Sequence, residues 1–480
     1  MKTISDYLAH FLVDGMQVRA LAAEALRTGG DWCDLFFEDS AFGELMLRDG
    51  EVNSGGLHID YGCGIRVLKG EKTGYAYAES TDYPALLAAA RSASAIAVTG
   101  GAPGNGNAGS EPNQTPDCQL VSSNHPAIDW RDQSPQAYAS ALKQLESLIR
   151  AKDNRVHKVI AALNWQHSEI LMFNSAEGFT ADSRPLGSIA VTVIFVQNGR
   201  TEMNNSSRSF RTGAEMIGDA LLEELAAEAV RGLDERFEAR RPKGGKMPVV
   251  MAAGASGILL HEAMGHAFEA DFNRKGQSIF ADKLGKRVAA RGINILDDAT
   301  VPLNRGSLSF DDEGVPGQKT YMVRDGILQS YLHDRISAAY YGVSPTGNGR
   351  RESFRYNPIP RMRCTYMESG PAGTSCSDLI AEVRNGIYVD QFSNGEVKIG
   401  EWDFTFDVQS GRLIENGRLT MPVKDINIVG NGPRALADIV GVAADLKIDN
   451  GSWTCGKEQS APVGCGIPSV LVKSLTVGGE

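Results

Sequence analysis

The chain has 480 residues, 42% of them hydrophobic and 22% charged, an ordinary globular composition that excludes a disordered or fibrous chain. Its formal net charge is −11, which argues for solubility and against a surface that tracks nucleic-acid phosphates. Glycine is the outlier, with 53 residues and no three-residue period; collagen is excluded and many turns are expected.

At the N-terminus Asp6, His10 and Asp14 interrupt the apolar positions, unlike the unbroken apolar core of a signal peptide. Leu8, Phe11 and Leu12 fall at helical spacing and predict an amphipathic first helix. RALAAEALRTGG predicts a second helix with a Gly-Gly stop. Short strands are expected at DLFFED, FGELMLRD, YGCGIRVL and TGYAYAES, with turns such as LRDGEV between them. PALLAAARSASAIAV then predicts a helix. Residues 99–129 are rich in Gly, Pro, Asn and Ser and are expected to form a flexible loop.

A helix around Tyr138–Ile149, strands at VIAALNWQ, EILMFNS and SIAVTVIFVQ, and a helix over Ala214–Arg231 come next. They repeat the first set in outline, without a residue-level repeat. The charged stretch 232–246 marks a boundary. Beyond it GSLSFDDEG, EVKIGEWDFTFDVQSGRLIENGRL and PSVLVKSLTVG are strand-like. The expected fold class is α+β: an N-terminal α+β domain over 1–235 with a mostly antiparallel sheet, then a β-rich domain over 247–480 entered by one helix. No stretch approaches the roughly 18 consecutive apolar residues of a membrane span. Seven cysteines, an odd number, without a CxxC pair argue against a disulfide framework or a zinc ribbon. The expected compartment is the cytoplasm.

The chemistry sits on the entering helix, GASGILLHEAMGHAFEADF. Two histidines, His261 and His266, and a carboxylate, Glu262, are what a hydrolytic zinc site needs: neutral imidazoles to hold the ion and a free carboxylate to move a proton. The spacing is HExxxH, one residue longer than the zincin HExxH. On a regular helix positions i and i+5 differ by roughly 140° and cannot face one ion. The spacing therefore predicts a widened turn across Ala263–Gly265, with Gly265 easing the distortion. By itself the pattern is weak, and structural histidines are the commoner outcome. His10, His58, His125, His157, His167 and His333 have no comparable companions and are read as structural. A third ligand is required; Cys455, close to Lys457, and Cys465 are the candidates, and composition does not separate them.

LLHEAMGHAFEADFNRKGQSIFADKLGKRVA, FDDEGVPGQKT, SPTGNGRRES, IVGNGP and CGKEQSAPVGCGIPS together resemble the TldD/PmbA peptidase family, in its TldD-type catalytic form. They span roughly residues 255 to 470. The resemblance implies zinc held by His261, His266 and Cys455, with Glu262 as general base. It implies peptides or unfolded polypeptides as substrates. It also implies an active site facing a cavity enclosed with a TldE/PmbA-like subunit or a second copy. No nucleic-acid or membrane partner is expected. Asp311–Gly314 reads as an acidic turn or, less readily, a metal site. Thr346–Arg351 reads as a carboxylate-binding loop or a glycine loop with solvated arginines. The competing reading of the whole chain is a non-hydrolytic peptide-binding or regulatory module with a structural zinc.

Overall fold

The computed structural model describes residues 2–98, 118–122, 126–398 and 401–479. Two short helices open the chain, α1 (Ile4–His10) and α2 (Gly15–Leu26). Each starts at a capping box, Thr3 with Asp6 and Asp14 with Gln17, which satisfies the free N–H groups of the first turn. Phe11 is buried but Leu12 is 81% exposed, and the first helix stops at His10, two residues before the expected stripe ends.

The strands are longer than expected. DLFFED and FGELMLRD are one strand, β1 (Trp32–Arg48), followed by β2 (Glu51–Lys69), β3 (Lys72–Ala78) and α3 (Tyr83–Val98). Asp49 and Gly50, both at positive φ, make the tight β1–β2 turn. Most of the predicted loop over 99–129 lies outside the described residues. Part of it is a strand, β4 (Cys118–Val121). Then come α4 (Pro135–Lys152), β5 (Val156–Asn174), β6 (Gly178–Gln197), β7 (Arg200–Phe210) and α5 (Asp219–Val230). Asn198 and Gly199, again at positive φ, join β6 to β7.

These strands form one sheet in the order β3-β2-β1-β5-β6, with β7 antiparallel to the later part of β6 and β4 parallel to its start. The expected antiparallel sheet is observed. Each half is a helix, strands and a helix, and β1 joins β5 in the middle. Alternation along β1 explains why its first part is buried throughout. Cys33, Leu35 and Phe37 meet the helices, as do Leu45 and Leu47 further along. Asp34, Phe36 and Glu38 point the other way, towards the C-terminal half.

After α6 (Leu233–Glu238), inside the stretch read as a boundary, β8 (Gly245–Met251) begins the second half. It lies between strands 385–398 and 470–477. Pairing continues through 426–431 and 403–415 back to 385–398, so this sheet closes on itself. A second, six-stranded sheet contains 295–298, 364–367 and 464–467. The expected strand at GSLSFDDEG is a loop held by one bridge, Phe310 to Pro316. Its acidic residues are drawn out of strand pairing by buried arginines, described below. The helix α7 (Ile258–Met264) lies between the closed sheet and the six-stranded one. Its Leu259, Leu260 and Met264 share a core with Val249, Met251 and Ile387.

Candidate metal centre

Two glycines let α7 sit this deep. A Cβ on Gly257 would lie 2.6 Å from the Gly466 backbone, and one on Gly265 would lie 2.0 Å from Met362 Sδ. Gly265 has an ordinary helical φ of −55°. Its role is close packing, not the backbone freedom expected from the sequence.

The HExxxH spacing is resolved by a break, not by a regular wide turn. α7 ends at Met264, whose φ of −151° swings the chain, and a 3₁₀ turn follows over Gly265–Phe268. One element of the expected widening remains. The Gly265 N–H reaches both the His261 carbonyl and, five residues back, that of Leu260. The two imidazoles therefore meet, with ring centroids 5.6 Å apart.

The third group arrives from a hairpin, strands 454–457 and 459–462, turned at Glu458 with φ 57°. Strand alternation points Cys455 and Lys457 inward and Thr454 and Gly456 outward. On the facing 3₁₀ turn, residues three apart share a face, so His266 and Glu269 are aligned. The two rows match. Cys455 Sγ lies 3.3 Å from His266 Nε2, and Lys457 Nζ lies 3.0 Å from Glu269 Oε2. Ligand atoms of His261, His266 and Cys455 all lie within 4.8 Å of one another, and all three residues are buried. Cys465 is elsewhere, on strand 464–467 between Thr365 and Asp449, with its thiol pushed well up by burial.

Neither ring nitrogen of His261 has a hydrogen-bond partner although the residue is 1% exposed. A buried imidazole with two idle nitrogens is costly unless something binds it. Burial resists charging Cys455, yet His261 and then His266 outweigh it and bring the thiol down to about 4. A metal ligand must be a thiolate. Burial also opposes the charge on His266, but Glu269 and Cys455 raise it to about 10. Glu269 is held near 2, against burial, by Lys457 and His266. Being ionised, Glu269 can only accept. His266 therefore donates from Nδ1 over 2.9 Å and keeps Nε2 for the thiol side. The Sγ···Nε2 separation is close to the roughly 3.5 Å that two tetrahedral metal bonds of about 2.3 and 2.0 Å require. The residues present fit a metal ion.

Glu262, on the same turn as His261, is half-buried, and its carboxylate makes no hydrogen bond or ion pair with another described residue. It is free to act on a proton. Sequence reasoning missed Glu269 and Arg361, and it set Lys457 beside the Cys455 thiol, whereas Lys457 pairs with Glu269 and Asp271. Arg361 donates to the carbonyls of Cys455 and Gln459, 2.6 Å each, and clasps the hairpin. The one available signal was Glu269 three residues after His266.

Of the two loops singled out in the sequence, the first is the turn expected and the second departs from expectation. Asp311–Gly314 is a turn, but a buried one. Asp312 pairs with Arg184, and Glu313 pairs with Arg66, which also binds Asp34. Among the described residues the His/His/Cys group is the one that could hold a metal. Arg350 and Arg351 are buried rather than solvated, 4% and 7% exposed. Among the histidines read as structural, His167 does have companions: Asp129 2.9 Å from Nδ1 and Glu169 3.4 Å from Nε2. His125 lies outside the described residues.

The buried His/His/Cys cluster thus lies beside a closed sheet that is joined to a long antiparallel one. Three family profiles match in succession: PmbA/TldA metallopeptidase domain 1 over residues 33–97, the central domain over 128–236 and the C-terminal domain over 244–479. A metalloprotease TldD homolog of Haemophilus influenzae is 38% identical, across 94% of this chain and 93% of its own. A metalloprotease of Methanothermobacter thermautotrophicus is 30% identical across the whole of both chains. Among solved structures, TldE of Thermococcus kodakarensis superposes with a TM-score of 0.73 over 96% of this chain and all of its own, at 19% identity, a likeness of fold. The chain belongs to the PmbA/TldD metallopeptidase family.

Proposed function

We propose that the protein is a zinc-dependent peptidase in which His261, His266 and Cys455 hold the ion and Glu262 is the general base. The observation that carries this reading is the pairing of an unpartnered, buried His261 with an unengaged Glu262 on the same helical turn. When bound, zinc supplies Lewis acidity and a nucleophile of lowered pKa. Glu262 takes the proton of an attacking water and returns it to the departing amine. Glu269 holds His266 in one tautomer, and Lys457 holds Glu269. Three ligands in the cluster leave a position open for reaction, which favours an enzyme over a module with a structural ion.

In this reading residues 1–235 form a positioning domain and 247–480 the catalytic one. Substrates are peptides or unfolded polypeptides, admitted to a cavity closed by a TldE/PmbA-like subunit or a second copy. The fold likeness to TldE supports such pairing. Cys33, Cys63, Cys364, Cys376, Cys455 and Cys465 are unpaired, which suits a reducing cytoplasm. Among the described residues no helix is long and apolar enough to cross a membrane.

The test is elemental analysis together with hydrolysis of an unfolded peptide, with and without chelator, on wild type and Glu262→Gln. Wild type is expected to hold about one zinc per chain and to stop cleaving when it is stripped. Glu262→Gln is expected to keep the metal and lose at least about a hundredfold in rate. Undiminished cleavage in that variant refutes the assignment.

A further inference from the structure

Beside the Cys455 hairpin, between the two halves of the molecule, lies a polar recess. A cavity of about 60 Å³ and a groove of about 350 Å³ share part of their walls, including Gln166, Ser353, Ser460 and Pro462. The groove also touches Thr454, the residue next to Cys455. Three arginines here have no carboxylate partner among the described residues. Arg350 Nη1 donates to the carbonyls of Met362 and Pro462, which leaves Nε and Nη2 without an acceptor among the described residues. Arg211 has one acceptor for its side chain, the Arg305 carbonyl, and its Nε is buried and unpaired. Arg305 reaches only neutral groups: the Trp453 carbonyl and the hydroxyls of Ser188, Ser209 and Thr454.

Acids on the wall do not cancel these charges. Asp312 is committed to Arg184, and Asp60 to Arg355. Glu352 is exposed and accepts from the Ser460 N–H. Glu38 accepts from Ser40 and from the Phe354 N–H. Burial without a counter-ion pulls Arg211 down to about 9 and Arg350 to about 10. Elsewhere in this protein buried arginines are neutralised; Arg66 has Asp34 and Glu313, and Arg363 has Asp297. Guanidinium groups placed at a cavity without a partner are arranged to receive one.

We infer that this recess is a substrate subsite for a carboxylate, bound by Arg350 and Arg211 with Arg305 at the groove side. The inference rests on the peptidase reading above and names what that peptidase prefers. The carboxylate belongs either to an acidic side chain or to the chain terminus of the peptide. Arg350 also braces Met362, which packs on Gly265 beside His266, so the occupied subsite adjoins the metal centre.

The test is binding of fluorescent peptides to zinc-loaded full-length Glu262→Gln protein, read by anisotropy and independent of hydrolysis. Four peptides of one sequence are compared: C-terminal acid against amide, and an internal Glu against Gln. One carboxylate form is expected to bind about tenfold to a hundredfold tighter than its neutral counterpart, and which pair responds identifies the source. Arg211→Gln and Arg350→Gln are each expected to bring that ratio close to one. A ratio taken on one preparation is insensitive to a loss of folded protein. Equal binding of all four peptides by the parent protein overturns the subsite, as does an unchanged ratio in both variants. Loss of chelator-sensitive cleavage by wild type, with the binding ratio intact, would instead overturn the peptidase reading.

Discussion

The two halves of the molecule are held together by different physics. In the N-terminal half, helices cover one face of a regular sheet, and that face is aliphatic and aromatic: Leu142, Leu145 and Ile149 of α4 against Val159, Leu163 and Val193. Around the metal centre, elements are four to seven residues long and the joints are buried charges and backbone-tight glycines. The first half can lose one contact and keep its layers. The second has polar groups whose partners are irreplaceable, which makes it exact in position and brittle to change.

The largest expected effect tests that brittleness. Asp297, fully buried, accepts from the Arg363 backbone and Nε, from Asn348 Nδ2 and from Thr365 Oγ1. Asp297→Ala strands a buried guanidinium and is expected to cost about 3–5 kcal/mol or to prevent folding, measured by urea unfolding. A cost below about 1 kcal/mol would remove the contrast between the halves. The second prediction concerns pH. Burial among Tyr331 and Tyr341 pulls His333 down to about 4 from its ordinary value near 6.5. A depressed histidine favours the neutral form in the folded chain, so its contribution is present above pH 6.5 and is lost as pH falls towards 4. That loss is at most about 3 kcal/mol. His333→Phe should flatten this part of the stability–pH curve; an unchanged curve would show that His333 protonates freely in the fold. The smallest effect is in the N-terminal half. Asp14→Ala removes the α2 cap and should cost about 1 kcal/mol without altering peptide cleavage, and a loss of cleavage would show that the halves are coupled.

This contrast also governs what the sequence could reveal. Period-two and period-3.6 patterns located β1, β5, β6, α2, α3 and α4, because each buries a face of a regular layer. They divided β1 at Ser40–Ala41, where polar Asp39 and Ser40 interrupt the apolar run. They placed a strand at GSLSFDDEG, because nothing local announces that Asp312 and Glu313 are claimed by Arg184 and Arg66 from a distant sheet. At the metal centre the sequence offered His261, Glu262, His266 and a choice of two cysteines. That a regular helix could not bring these two histidines together followed from helical geometry, but the means did not: the chain breaks at Met264, with Met362 packed against Gly265. Arg361 was invisible, and Lys457 was legible only as a neighbour of Cys455, because their partners are the hairpin carbonyls and Glu269, contacts made only once the chain is folded.

The hairpin bearing Cys455 has a consequence for how such a chain can diverge. Its thiol and the Lys457 ammonium face inward because they are two residues apart, and Arg361 grips the strand carbonyls at Cys455 and Gln459. A single inserted or deleted residue between 455 and 459 would turn one of these groups to the outside while leaving the other in place. Residues here can be exchanged, but the spacing cannot drift. Among related chains, gaps should fall outside this short interval even where its residue identities vary.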